Sequence, residues 1–198
     1  RLDGVTGVQT CALPISLSFT ESELNFHFKV TKALRNAKSL FELTRIFIEH
    51  LKYRFPDKKP TVLLYDTLKQ DLFLPSDADV KSDIRIEVDH INYNGSVAVR
   101  CFLDKKNIII RDTRQTDLIN IFWVEKLKLK SLIVLPIIHD DKAIGVLRVD
   151  DSLNYDAFSE KLIKFYEYLL QIFSIEAIRV INQNYVIKKA IVNTSFQR

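Results

Sequence analysis

The chain has 198 residues, of which 47% are hydrophobic and 27% charged, and its formal net charge is +4. This length and apolar content favour one domain with a single core, and the even scatter of Lys and Arg among Asp and Glu argues against a nucleic-acid partner. There is no run of roughly 18–20 apolar residues and no signal-peptide pattern, so we expect no membrane contact within this chain and a cytoplasmic location.

The first segment, Val5–Ile15, resembles the translation of a sequencing-library adapter over its whole length. We therefore expect residues 1–15 to be a non-native tail, with the true N-terminus missing. The alternative is an ordinary disordered or weakly stranded tail. Without this tail, Cys101 is the one natural cysteine, and a disulfide or metal knuckle has no support from spacing.

Two helices are predicted next. Thr20–Glu23 forms a capping-box pattern, and the apolar spacing after it predicts a helix to about Asn36. Ser39–Glu42 is a second capping-box pattern, and Pro56 ends the helix that follows. The apolar face of this second helix comprises Leu43, Ile46, Phe47, His50 and Leu51.

Short strands and one short helix follow. Thr61–Asp66 and Leu72–Leu74 predict a hairpin, and the alternation in Ile84–Val88 predicts an edge strand. Ser96 is placed to cap a short helix, and Asn107–Ile110 predicts another strand.

The next stretch, Arg111–Lys128, is the least regular part of the chain. After it, Ser131–Ile138 and Lys142–Val149 are two apolar runs that predict the central hairpin of a sheet. Pro136 lies inside the first run and cannot donate to a strand ladder, so we expect a bulge there.

One long helix is predicted from Ser159 to about Val192, without an internal Pro or Gly. Its apolar residues step by threes and fours, as in a coiled coil, and predict a seam along which two copies pair as a homodimer. The seam comprises Leu162, Tyr166, Leu169, Phe173, Ala177, Val180, Asn184, Ile187 and Ile191. The order of elements predicts an α+β fold with an antiparallel sheet.

Several segments together resemble the GAF domain family in order and spacing, over roughly residues 39–179. They are Gly95–Val99, Ile108–Ile110, Leu129–Ile137, Ile144–Asp150 and Phe158–Glu160. The resemblance implies a five- or six-stranded antiparallel sheet with the N- and C-terminal helices on one face and a small-molecule pocket on the other. It also divides the native chain into an N-terminal helix and linker (16–38), the GAF domain (39–179) and a C-terminal signalling helix extension (180–198).

The resemblance implies that the pocket is roofed by the Ser96–Lys105 helix and by Arg111–Lys128, which we call the roof segment. Aromatic residues there are able to stack on a ligand, and arginines are able to pair with its carboxylate or phosphate. The alternatives are that Trp123 is a core residue and that Cys101 is a small buried hydrophobe. For Arg111 and Arg114, the alternative is local pairing with Asp112 and Asp117 in a solvated turn. The candidate ligand-binding residues are Arg100, Cys101, Arg111, Asp112, Asp117, Phe122 and Trp123.

The known subclasses of the family each require a motif. Bilin attachment requires a pocket cysteine, commonly beside a His, whereas Phe102 follows Cys101. A sulfoxide reductase of this fold requires several pocket cysteines, and one thiol does not complete that cycle. The cyclic-nucleotide signature has no Asn-Lys-Phe counterpart in Arg111–Asp117, and the four histidines lack metal-site spacing.

No nucleophile elbow, Walker loop, dinucleotide fingerprint or kinase motif is present in the sequence. We therefore expect a non-catalytic sensory domain of a bacterial signal-transduction protein, with no catalytic residue, no metal and no cofactor beyond an unidentified small-molecule ligand. The alternative is a ligand-free dimerisation spacer within a larger kinase, cyclase or transcription regulator. In both cases the output domain is expected to be lost upstream or absent.

Overall fold

The structure, a computed structural model, describes residues 19–76 and 84–195, with side chains described as far as residue 184. The predicted non-native tail, residues 1–15, lies outside these residues and stays a prediction. Within them the chain forms six α-helices, six strands and a short 3₁₀ turn (Thr113–Gln115). In chain order the α-helices and strands are α1 (Glu21–Leu34), α2 (Leu40–Arg54), β1 (Lys58–Asp66), β2 (Asp71–Phe73), β3 (Arg85–Glu87), α3 (His90–Gly95), α4 (Val97–Asp104), β4 (Ile108–Ile110), α5 (Ile121–Leu127), β5 (Ser131–His139), β6 (Lys142–Asp151) and α6 (Glu160–Ser195).

The N-termini of the first two helices are capped where the sequence predicts. The Glu23 amide donates to the Thr20 hydroxyl at 3.2 Å and the Thr20 amide donates to the Glu23 carboxylate at 2.8 Å, which completes the first capping box. The Glu42 amide donates to the Ser39 hydroxyl, but the Glu42 carboxylate accepts from the Lys38 amide. The second helix therefore has the predicted cap but not the full reciprocal box.

The six strands form one antiparallel sheet in the order β3-β2-β1-β6-β5-β4. The predicted hairpins are β1–β2 and β5–β6, and the segment predicted as an edge strand is β3 at one edge. This confirms the α+β class and the antiparallel sheet.

The expected irregularity in β5 lies one residue after the proline. Pro136 pairs in register with Val146, and the register shifts between Ile137 and Ile138. The neighbouring strand β4 pairs only with residues 132–134, so among the described residues Pro136 has a partner strand on one side alone. A missing N–H is tolerated there because no second ladder depends on it.

The two faces of the sheet carry separate apolar clusters. Side chains alternate between the two faces along β1. Val62 and Leu64 pack in the cluster with α1, α2 and α6, and Leu63 packs in the cluster with α4 on the opposite face. Gly145 pairs with Leu64 of β1. A Cβ added to Gly145 would lie 2.3 Å from the Leu63 carbonyl oxygen, so only glycine fits at this point of the β1–β6 pair. The terminal helices thus cover one face, and α4 covers the other.

The prediction that the apolar stripe of the last helix pairs with a second copy is wrong for the five central residues of that stripe. Tyr166, Leu169, Phe173, Ala177 and Val180 are all fully buried within the single chain. The threes-and-fours spacing packs this helix onto its own sheet and onto α1 and α2, because an amphipathic stripe serves either purpose. The side chains of residues 187 and 191 lie outside the described part.

Two helices were not predicted. The short α3 has no buried residue, and α5 within the roof segment has none either. Neither helix has an apolar stripe facing the core, so the periodicity on which prediction depends is absent. Among the described residues, no helix combines the length and apolar character needed to span a bilayer.

Candidate functional site

The face of the sheet opposite the terminal helices is covered by α4. The Ser96 hydroxyl accepts from the Val99 amide and so caps this helix as predicted. Val99 and Cys101 are fully buried in the cluster that α4 shares with the sheet, and the Phe102 ring lies 4.6 Å from that of Tyr65. The space directly beneath α4 is therefore occupied by side chains.

Further along β6, the same face becomes polar. Val146 belongs to the α4 cluster, and by strand alternation Arg148 and Asp150 lie on its side of the sheet. The Arg148 Nε donates to the Asp150 carboxylate at 2.7 Å, and their side chains are 23% and 12% exposed. The Arg148 Nη2 is buried, and it has no hydrogen-bond partner in the described part of the chain.

Sequence reasoning missed this pair. The signal available in the sequence was a charged residue inside an apolar strand, Val146-Leu-Arg-Val149, where the alternation predicts an inward-facing side chain.

The two predicted site residues on α4 have different surroundings. The Arg100 guanidinium lies 5.0 Å from the centre of the Tyr93 ring, and its Nε donates to the Tyr93 carbonyl at 3.4 Å. Cys101 is fully buried, and burial raises the pKa of its thiol to about 12. The interpretation of Cys101 as a small buried hydrophobe agrees with this environment.

The predicted residues at the start of the roof segment are held in ion pairs. Asp112 accepts from the Arg114 guanidinium at 2.9 and 2.7 Å, and these bonds lower the pKa of Asp112 to about 2. Arg111 instead pairs with Asp156, which lies in the loop after β6. The alternative of local pairing is thus confirmed for Arg114, whereas the partner of Arg111 is distant in sequence.

The predicted aromatic residues lie on the surface. Phe122 and Trp123 are in edge-to-face contact at 5.2 Å on α5, and the Lys126 ammonium lies over both rings. Trp123 is 46% exposed, so the alternative that it is a core residue is wrong. Asp117, in the loop before α5, is also exposed.

The start of the roof segment is tied to the loop that leads into α6. The Asp156 amide donates to the Arg111 carbonyl at 2.7 Å, in addition to the ion pair between their side chains. The Arg114 guanidinium lies 4.0 Å from the centre of the Tyr155 ring, a close cation–π contact.

The start of β5 is tied to the same loop. Lys130 Nζ donates to the Leu153 carbonyl at 2.8 Å, and the Ser131 hydroxyl donates to the Asn154 carbonyl at 2.9 Å. We call these contacts of Arg111, Arg114, Lys130 and Ser131 with residues 153–156 the latch. The latch joins the roof segment and its exit to the residues just before α6.

A buried ion pair fixes the base of this loop. Asp151 is fully buried beside the Lys58 ammonium and accepts from the Leu153 and Asn154 amides, each at 2.7 Å. Burial alone would raise the pKa of Asp151, but the hydrogen bonds from Lys58 and the two amides outweigh it and lower the pKa. Among the described residues, no three His, Cys, Asp or Glu side chains are grouped to hold a metal ion.

A cleft of about 800 Å³ lies elsewhere, between α1 and α2. Phe26 and His50 line it together with charged residues of both helices. It is on the helical side of the sheet, and none of the seven predicted site residues lines it. Those seven residues instead occupy four places: α4, the latch region, the exposed loop before α5 and the surface of α5.

The family model described as "GAF domain" matches residues 5–176. The match begins within the segment predicted to be a non-native tail. No curated protein matches the chain.

Solved structures with this fold come from a phosphotransferase, a sulfoxide reductase and a chemotaxis protein. The GAF domain of an Acinetobacter phosphoenolpyruvate-protein phosphotransferase has a TM-score of 0.67 at 13% identity, over 84% of this chain and 99% of that one. The free methionine-R-sulfoxide reductase of Neisseria meningitidis, in complex with its substrate, has a TM-score of 0.64 at 16% identity, over 86% and 98%. Residues 122 to 287 of a methyl-accepting chemotaxis protein have a TM-score of 0.63 at 19% identity, over 76% and 96%. These likenesses show the fold, and the family match over most of the chain shows that it belongs to the GAF domain family.

Proposed function

We propose that this chain is a non-catalytic sensory module of a bacterial, cytoplasmic signal-transduction protein. It binds a small molecule between the sheet and the roof segment and passes a conformational change to α6. The latch is the observation that carries this proposal, because it ties the ligand-side elements to the residues that start the last helix. Structural neighbours in a phosphotransferase and a chemotaxis protein support a signalling role.

The relay follows from the positions of the latch residues. A ligand that stabilises one arrangement of the roof segment biases Arg111 and Arg114 toward one position. Their partners, Asp156 and Tyr155, lie four to five residues before Glu160, where α6 begins. A displacement of the roof segment therefore moves the first turn of α6. Because α6 is one helix of 36 residues, the displacement reaches a neighbouring output domain along the helix.

The absence of catalysis is supported by the state of Cys101. One structural neighbour is a free methionine-R-sulfoxide reductase. From the family resemblance, a reductase of this fold is expected to need several pocket cysteines that turn over as thiol and disulfide. With its pKa raised to about 12 by burial, the Cys101 thiol is almost entirely protonated at neutral pH and is a poor nucleophile.

Dimerisation is proposed through the outer faces of α1 and α6, in place of the buried seam. The two helices run side by side in the same direction, since Glu23 contacts Lys161 near one end and Arg35 contacts Glu176 near the other. Both helices expose large apolar side chains away from the core, and apolar groups on a protein surface often mark an interaction site when they form a patch. The side chains proposed for the interface are Leu24, Phe28, Tyr168 and Ile175.

Sedimentation equilibrium tests the dimer. The native chain is expected at twice its mass of 23.1 kDa, and Phe28→Glu is expected at the monomer mass because it places a charge in the interface. Tyr53→Glu is the matched control, since Tyr53 is 88% exposed on α2 and lies outside this face. A dimer that persists in Phe28→Glu contradicts the proposed interface.

The alternative, a ligand-free spacer, is favoured by one observation. The space beneath α4 is filled by side chains, among them the fully buried Val99 and Cys101. A domain with no room for a ligand would still fold, dimerise and connect its neighbours.

A thermal-shift screen with neutral, cationic and anionic metabolites separates the two functions. The sensory proposal expects at least one compound to raise the melting temperature, by linkage between binding and folding. Hydrogen–deuterium exchange is then expected to slow at the Asp156 amide as well as in the roof segment. Stabilisation by no compound supports the spacer, and binding without any change near Asp156 contradicts the relay.

A further inference from the structure

One buried guanidinium on the ligand side of the sheet lacks a full set of partners. The Arg148 Nε is bonded to Asp150, whereas its Nη2 is buried and unpaired among the described residues. Nη2 carries two N–H donors. Buried donors in native proteins nearly always have a partner, and a bound water, ion or ligand supplies one where the chain does not.

The register defines the surroundings of this guanidinium. Arg148 lies opposite Thr61 on β1 and Val134 on β5, and Asp150 lies opposite Lys59 and Leu132. Val134 and Leu132 belong to the apolar cluster that faces α4. The half-buried Leu118 and Ile119 of the roof segment pack against that same cluster. Arg148 therefore lies on the sheet face against which the roof segment packs.

The charges near Arg148 indicate what kind of acceptor its Nη2 would bind. Asp150 is already neutralised by Arg148 Nε, and the exposed Lys59 opposite it adds a second positive charge. An acceptor oxygen with negative charge therefore suits Nη2 better than a neutral one, because charge-assisted hydrogen bonds are the stronger kind.

We infer that Arg148 anchors the ligand of this domain, and that the ligand is a small organic anion whose carboxylate or phosphate oxygen accepts from Nη2. This inference rests on the proposed sensory function, to which it adds a ligand class. Thr61 offers a hydroxyl across the strand pair, and Leu118 and Ile119 offer apolar contact to the rest of the molecule.

Binding of four probes tests the inference: butyrate, methyl phosphate, inorganic phosphate and the neutral butyramide. The signal is the shift of the Arg148 Nε–Hε resonance, assigned by its loss in Arg148→Met, with the melting temperature as a second readout. Butyrate or a phosphate is expected to bind, and butyramide is expected to bind roughly 10- to 100-fold more weakly. Binding of butyrate alone identifies a carboxylate ligand, and binding of methyl phosphate or inorganic phosphate identifies a phosphate.

Variants assign the binding to Arg148. Arg148→Met is expected to weaken anion binding by the same factor, whereas Arg45→Met, on the exposed side of α2, is expected to leave it unchanged. Because Arg148→Met leaves Asp150 buried and unpaired, the double variant Arg148→Met/Asp150→Leu removes both charges and serves if the single variant does not fold.

The outcomes separate this inference from the function on which it rests. Equal binding of butyrate and butyramide, or anion binding that survives loss of Arg148, overturns the inference. If none of the anions binds but a neutral compound stabilises the fold, the anion site is wrong and the sensory function stands. If no compound of any charge binds, both are wrong.

Discussion

A buried histidine between α1 and α6 makes the stability of this fold depend on pH. The His27 ring is 5% exposed and stacks on Phe165 and Tyr168, at centroid distances of 4.8 and 4.5 Å. Neither of its ring nitrogens has a partner among the described residues. Burial lowers the pKa of His27 from its usual 6.5, and the negative charge of nearby Glu23 opposes this only in part.

The sign of the effect follows from linkage. A lowered pKa in the folded state means that the unfolded chain binds the proton more readily, so stability is full above pH 6.5 and is lost as the pH falls below it. At pH 5.5 the loss from this one group is at most about 1.4 kcal/mol. His27→Phe keeps an aromatic ring between Phe165 and Tyr168 and removes the titration. It also removes two unpaired polar atoms, which is expected to stabilise the fold by about 1 kcal/mol at pH 8.

Urea unfolding of the native chain and of His27→Phe, at pH 8.0 and 5.5, measures this effect. Other titrating groups are common to both proteins and cancel in the difference between them. The advantage of His27→Phe is expected to grow at pH 5.5 by an amount up to about 1.4 kcal/mol. An advantage that is the same at both pH values would refute the reasoning, as would a variant that is less stable at both.

Three further predictions concern packing and reactivity. Gly145→Ala is expected to lower the free energy of unfolding by about 1–3 kcal/mol or more, because the added Cβ would collide with the Leu63 carbonyl oxygen. Thermal melting measures this loss, and an unchanged melting temperature would contradict the prediction. Tyr166→Phe is expected to be neutral or stabilising, since the buried hydroxyl has no described partner, and a loss above about 1 kcal/mol in urea unfolding would reveal an undetected bond. In a Cys11→Ser background, Cys101 is expected to react with Ellman's reagent at pH 8 only on unfolding, since at a pKa of about 12 roughly one thiol in 10⁴ is ionised; rapid reaction of the folded protein would show an accessible thiolate.

Local sequence patterns predicted the helices and strands well wherever a side chain caps a helix or the apolar residues face the core. The Thr20 and Ser39 caps and the β5–β6 hairpin follow from short-range chemistry that the sequence states directly. The edge position of β3 follows in the same way from the alternation of charged residues with Ile86. The family resemblance then supplied the number of strands and the placement of the terminal helices on one face of the sheet, which no local pattern encodes.

The role of the α6 stripe and the positions of the site residues were harder to predict, because they depend on which elements pack together in three dimensions. The spacing of Tyr166 and Phe173 is the same for packing on a sheet as for pairing with a second helix, so periodicity alone could not decide. Trp123 lies on a helix with no buried face, whereas its residue type suggested a ligand-stacking ring or, as the alternative, a core residue. The pairing of Arg111 with Asp156, 45 residues away, has no sequence signature at all.

Native mass spectrometry of the purified chain tests the central claim, that the sheet and its roof segment hold a small molecule. We predict a small organic adduct on the folded protein, absent after denaturation and reduced in Arg148→Met but not in Arg45→Met. A folded protein that carries only its own mass, and stays so after incubation with every compound of the thermal-shift screen, would contradict it.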